Sequence, residues 1–362
     1  METFKLLQTL TETAGPSGYE DEIANVIQAI WEPHLDEQFR DKVGSLIGIK
    51  YGAGGNSDGK APRRRILLAA HMDEIALMVH RIVEQDGNGF LRLTNVGGVD
   101  VRHLYGQMVT VHGKENLTGV IGSLPGHMLP PARRNKPFGY EELLVDVGLS
   151  IDALKAQVSV GDFISFRQPL RQLMGKRVTG KALDNRASVA AVTVALEYLN
   201  GRSHAWDVVA VATAQEETRL LGAYTSAFSQ EPDAAIAIDV GFGKGPGAMD
   251  ENCFELGGGL PLDMGPNVHP GMFEALRETA VSLEMKTHIA THQRASGTDA
   301  FALQVAREGI PTGLISIPLR YMHTMVESID MRDVERSGRL MGEFIARLDD
   351  QFLDKLRDGM MK

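Results

Sequence analysis

Residues 208–217 read VVAVATAQEE, an apolar run closed by two adjacent carboxylates, Glu216 and Glu217. Two acids side by side at the end of a buried strand repel each other and lose hydration, so one must take up a proton unless a cation sits beside them. Three other apolar runs end in the same way. ILLAA runs into His71 and Asp73, AAIAI into Asp239, and GLISIPLRYM into His323. A further acid, Asp184 in GKALDNR, shortly precedes an amphipathic helical pattern. Taken singly, Asp184 reads as a helix N-cap, His71 as a core histidine and Asp239 as a turn residue. Their joint recurrence at strand ends points elsewhere, because imidazole and carboxylate together suit zinc, cobalt or manganese with no need of thiolate. Five ligands, His71, Asp184, Glu217, Asp239 and His323, are too many for one catalytic zinc with an open position. They suit two cations sharing a bridging carboxylate and a water. One acid of the pair then binds metal, and its neighbour stays ionised as a base toward that water. Asp73, two positions after His71, is placed to accept from the imidazole nitrogen turned away from the metal. The remaining histidines, His292 among them, do not share the strand-end pattern and read as surface or half-buried residues.

For side chains so distant in sequence to meet, the strands that carry them must end along one edge of a sheet. Strands alternate with helical patterns from the N-terminus to about residue 79 and again after about 172, which predicts an α/β fold with a mainly parallel sheet covered by helices on both faces. Ligands of such sheets bind in the crevice beyond the carboxyl ends of the strands. Between them the texture changes to short alternating pieces, such as GFLRLTNV, GQMVTVHG and GDFISFRQ, separated by Gly, Pro, Asn and Asp. The expected organisation is a discontinuous catalytic domain, 1–79 plus 172–362, interrupted by an all-β insertion at 80–171.

The totals narrow the partners. With 37 basic against 47 acidic residues, a net charge of −10 and only two compact basic runs, at 63–65 and 132–136, the chain lacks the broad basic face of a nucleic-acid binder. Cys253 is the only cysteine, so an internal disulfide and a thiolate zinc cluster are excluded. No signal-peptide pattern or membrane-spanning apolar stretch is present in the sequence, which reads as cytoplasmic.

AHMDEIALMV, GKALDNR, AQEE, AIDVG, SGTDAFALQVAREGIPTGLISIPLRYMHT and the N-terminal AGPSGYEDEI together resemble the tetrahedral, or deblocking, aminopeptidases, which include glutamyl aminopeptidases and members once labelled cellulase M. The resemblance spans nearly the whole chain in order. It implies a dinuclear metallopeptidase of zinc-peptidase-like α/β fold with an inserted β-barrel or PDZ-like dimerisation domain. It further implies that His71, Glu217, Asp239 and His323 belong to the metal shell, that Asp184 bridges the ions, and that Glu216 is the general base. Dimers assembling into a hollow tetrahedral dodecamer are implied as well. One departure stands out: Arg219 occupies a position where the family usually has Gly, which adds a fixed charge and removes backbone freedom beside the base. The expected activity is removal of the N-terminal residue from short peptides with a free N-terminus, with two zinc or cobalt ions, or manganese. A deacylase acting on small N-acyl compounds would use the same water activation, and a metal-stapled scaffold with a decayed site is the non-catalytic alternative.

Overall fold

The computed structural model describes residues 2–54, 63–134, 136, 138–248 and 250–359; residue 135, in the second basic run, lies outside them. Two amphipathic helices, α1 (Thr3–Glu12) and α2 (Asp21–Trp31), lead to a hairpin, β1 (Glu37–Arg40) and β2 (Leu46–Lys50), and then to β3 (Arg65–His71). Next come β4 (Ala76–Gln85), β5 (Asn88–Val96), β6 (Met108–His112), β7 (Asn116–Gly122), β8 (Leu144–Asp146), the short helix α3 (Ile151–Gln157) and β9 (Phe163–Phe166). The chain returns through β10 (Arg171–Gln172) and β11 (Arg177–Gly180) to α4 (Leu183–Leu199), β12 (Asp207–Thr213), α5 (Glu216–Arg219), α6 (Leu221–Gln230) and β13 (Ala234–Phe242). It finishes with β14 (Leu260–Met264), α7 (Pro270–Ser282), β15 (Thr287–Thr291), α8 (Asp299–Gln304), β16 (Thr312–Leu319), β17 (Glu327–Asp330), α9 (Met331–Ala346) and α10 (Phe352–Gly359).

Within these residues the main sheet has the order β1-β2-β12-β3-β13-β16-β14-β15. Its centre is parallel, from β12 through β3 and β13 to β16, while the β1–β2 hairpin and β14 join antiparallel. β12 and β16 are buried along their whole length, as expected of strands covered on both faces. Helices α4, α9, α1 and α7 pack on one another over one face, and α6 and α8 pack together over the other. The sequence reading foresees the central strands but not β1, β2, β14 or β15. Strands β4 to β9 close into a separate antiparallel barrel with its own core of Leu77, Leu91, Val109, Val145 and Ile164. β4 begins at Ala76, before the position where the sequence texture changes. The expected all-β insertion is therefore a barrel, and a third small sheet, β10-β11-β17, lies apart from it.

Arg63 is paired with Asp207 at 2.6 Å and Arg64 with Asp233 at 2.6 Å, so this basic run neutralises acids at the amino ends of β12 and β13. No helix among the described residues is long and apolar enough to cross a membrane.

Gly338 and Gly342, one turn apart on α9, set the contact between α9 and α4. A Cβ on Gly338 would come within 2.5 Å of Val194 Cβ, and one on Gly342 within 2.6 Å of the Tyr198 ring. Close-packed helices resist added volume, at about 1–3 kcal/mol for an overpacked site. Gly338→Val is expected to lower the calorimetric melting midpoint by several degrees, roughly 2–4 °C per kcal/mol. An unchanged midpoint would contradict so close a contact.

Candidate active site

Register brings the strand-end residues together. His71 closes β3, where Thr213 of β12 is its ladder partner. β13 pairs Ala237 with Ala69 of β3, which carries Asp239 to the same level as His71. Past β12 the backbone turns sharply at Gln215, with φ 57°, and α5 begins on Glu216 and Glu217. Asp184 sits at the start of α4 with extended ψ (φ −78°, ψ 105°), so its side chain projects as from a strand end, not from a helix surface. β16 stops at Leu319, earlier than the run GLISIPLRYM suggests, and His323 lies in the turn between β16 and β17.

Asp184 is central. Its Oδ1 lies 3.2 Å from His71 Nε2 and its Oδ2 lies 3.4 Å from His323 Nε2, one oxygen toward each imidazole. His71 Nε2 is also 3.8 Å from Glu216 Oε2 and 3.9 Å from Asp239 Oδ1, and His323 Nε2 is 3.6 Å from Glu217 Oε1. Two sets of atoms converge to within 4.8 Å of one another: His71, Glu216 and Asp239 form one, and His71, Asp184 and Glu217 the other. Glu216, read from the sequence as a base outside the ligand set, thus points to the same place as the ligands.

These groups are buried, and their charges do not balance. Burial pushes the Glu216 carboxyl up to about 10, with Asp239 and Asp299 adding to it against the pull of His71. Glu217 is pushed up to about 8 by burial and by Asp184, and burial drives Asp239 well above the ordinary carboxyl range. Burial would lower His71, but Glu216, Asp184 and Asp73 overcome that and raise it well above its usual value. His323 rises to about 9, chiefly through its contact with Asp184. Imidazoles and carboxylates crowded in a low-dielectric crevice have the donor chemistry of a site for divalent cations, and cations in it would relieve the repulsion.

Two further carboxylates hold the backbone that carries these side chains. Asp73 is fully buried, lies 3.3 Å from His71 Nδ1, and accepts the N–H groups of Glu216 and Glu217, each at 3.1 Å. Glu327 accepts from the N–H of Asp184 at 3.0 Å with one oxygen and from that of His323 at 2.9 Å with the other. His323 has φ 60°, in a region that costs a residue with a side chain about 1–2 kcal/mol, so this anchor matters. The sequence reading assigns Asp73 only to the imidazole and misses Glu327. Flanked by Val326 and Ser328, Glu327 has no local signal that sets it apart from an ordinary acid.

A cavity of about 500 Å³ opens from the cluster along the sheet edge. Its far wall includes Asp263 and His292, neither singled out by the sequence, and Arg219 lies exposed on its rim.

Residues 52–340 match the family model described as M42 glutamyl aminopeptidase. The lysyl aminopeptidase of Pyrococcus furiosus is 33% identical over 353 residues, covering 96% of this chain and 98% of its own. Among solved structures, the TET aminopeptidase of the marine sediment archaeon Thaumarchaeota archaeon SCGC AB-539-E09 superposes with a TM-score of 0.88 at 31% identity, covering 98% of this chain and 99% of its own. The Pyrococcus horikoshii TET1 peptidase, whose structures show a tetrahedron or a large octahedral shell, gives 0.82 at 29% identity, over 96% of this chain and all of its own. A strand-end cluster of imidazoles and carboxylates on this fold, together with a match across most of its length, places the chain in the M42 glutamyl aminopeptidase family.

Proposed function

We propose that the chain is an aminopeptidase that removes the N-terminal residue of short peptides, using two divalent cations held by His71, Asp184, Glu217, Asp239 and His323. The observation that carries this reading is Asp184, whose two oxygens face a different imidazole each, with Glu216 and Asp239 further beside His71 and Glu217 beside His323. Bound there, zinc or cobalt, or manganese, would supply Lewis acidity toward the scissile carbonyl and bring the pKa of a water toward neutrality. Glu216 takes the proton from the attacking water as the C–O bond forms, and returns it to the leaving amine as the C–N bond breaks. For that work its carboxyl must be ionised, which burial alone opposes and nearby positive charge favours. Asp73 holds the His71 ring and the start of α5, so that base and ligand keep their separation. Glu327 does the same for Asp184 and His323.

We also infer that the protein forms homo-oligomers, as the Pyrococcus horikoshii TET1 peptidase does. Light scattering should give a mass many times the 39.4 kDa of one chain, and a monomeric mass would reject the assembly.

The base and the clamp separate in one experiment. Glu216→Gln should retain metal by elemental analysis while kcat on an aminoacyl anilide falls by about 10²–10⁴. Glu327→Gln places an amide where two N–H donors need acceptors, and should weaken metal affinity by about 10–100-fold. Near-normal turnover in Glu216→Gln rejects the base, and full metal affinity in Glu327→Gln rejects the clamp.

A further inference from the structure

The cavity beyond the cluster contains one deeply buried ionisable group of its own, Asp263, which is 1% exposed. Its place follows from register. Asp239 of β13 is the ladder partner of Ser316 in β16, and β14, carrying Asp263, is the next strand over. At the usual strand separation Asp263 lies on the order of 10 Å from Asp239, on the same face of the sheet. Ser316 Oγ donates to Asp263 Oδ2 at 2.8 Å, and His292 Nε2 lies 2.5 Å from Oδ1. The lining of the same cavity also includes the apolar side chains of Val240, Leu314, Ala290 and Met322.

Building on the aminopeptidase reading above, we propose that this part of the cavity receives the side chain of the substrate's N-terminal residue, and that Asp263 selects lysine or arginine there. A buried carboxylate is tolerated only with a matching charge or enough donors. Here the matching group is His292, half-buried and raised above its usual value by its contact with Asp263; a second cation arriving beside the acid repels that imidazolium and favours its neutral form. An arriving ammonium or guanidinium can therefore take over the role of the imidazolium without leaving either charge alone. The long methylene stem of lysine or arginine lies along the apolar lining while its charged head reaches the acid. The opposite preference, for an acidic side chain, would depend on Arg219, which is exposed on the rim where water and salt screen it. His292 cannot serve an acidic substrate without sharing its charge with Asp263.

The test compares kcat/KM for lysyl, arginyl, leucyl and glutamyl p-nitroanilides with the cobalt- or zinc-loaded full-length protein. The lysyl and arginyl substrates should exceed the leucyl one by about tenfold or more. Asp263→Asn should collapse that ratio, and Asp263→Lys should turn the preference toward the glutamyl substrate. Because a change at a buried site can cost folding, the wild-type protein supplies a second readout: 1,5-diaminopentane should inhibit at least tenfold better than pentylamine. Preference for leucyl or glutamyl substrates, or a lysyl preference that persists in folded Asp263→Asn, overturns the subsite while leaving the peptidase reading intact. Failure to cleave any aminoacyl anilide with either metal overturns both.

Discussion

Crowded like charge is the constraint on which the rest of the structure depends. Asp184, Glu216, Glu217 and Asp239 meet at one edge of a sheet, with His71 and His323 among them, all of it at least two-thirds buried except the outer face of His323. Left to itself, such a cluster drives carboxyls up into their protonated range, as the rise of Glu216 to about 10 and Glu217 to about 8 records. Proteins keep such arrangements where a cation or a reaction needs them.

The fold makes the crowding possible by converting sequence distance into ladder register. Parallel pairing of β12, β3, β13 and β16 aligns Thr213, His71, Asp239 and Ser316 across the sheet. Asp73 and Glu327 then extend control from strands to turns, each binding two backbone N–H groups of residues that the strands cannot hold. The same register that gathers the cluster continues to β14 and places Asp263 at the far end of the cavity. One face of the sheet thus carries both the cluster and Asp263.

What was legible in the sequence was what a local pattern can signal. A buried strand that stops in an acid or imidazole is unusual, so His71, Glu216, Glu217 and Asp239 announce themselves, and the change of texture near residue 80 announces the β-rich insertion. LIGIK, LPLDM and THIAT are short, with glycine, proline or histidine inside them, and periodicity does not distinguish them from loops. Glu327 is illegible because its role depends on the fold bringing Asp184, 143 positions away, to the turn that carries His323. Asp263 and His292 gain meaning only when β14 and β15 are set beside β16, and the antiparallel entry of β14 has no local signature. Arg219 shows the converse: the sequence marks it as a departure, and the structure puts it, exposed, on the cavity rim.

The central claim is that two cations share Asp184. Crystals of the zinc-loaded protein, with diffraction collected above and below the zinc absorption edge, test it directly. The account predicts two anomalous peaks flanking the Asp184 carboxylate, one beside His71 and Asp239 and the other beside His323 and Glu217. A single peak, or peaks remote from Asp184, would contradict it.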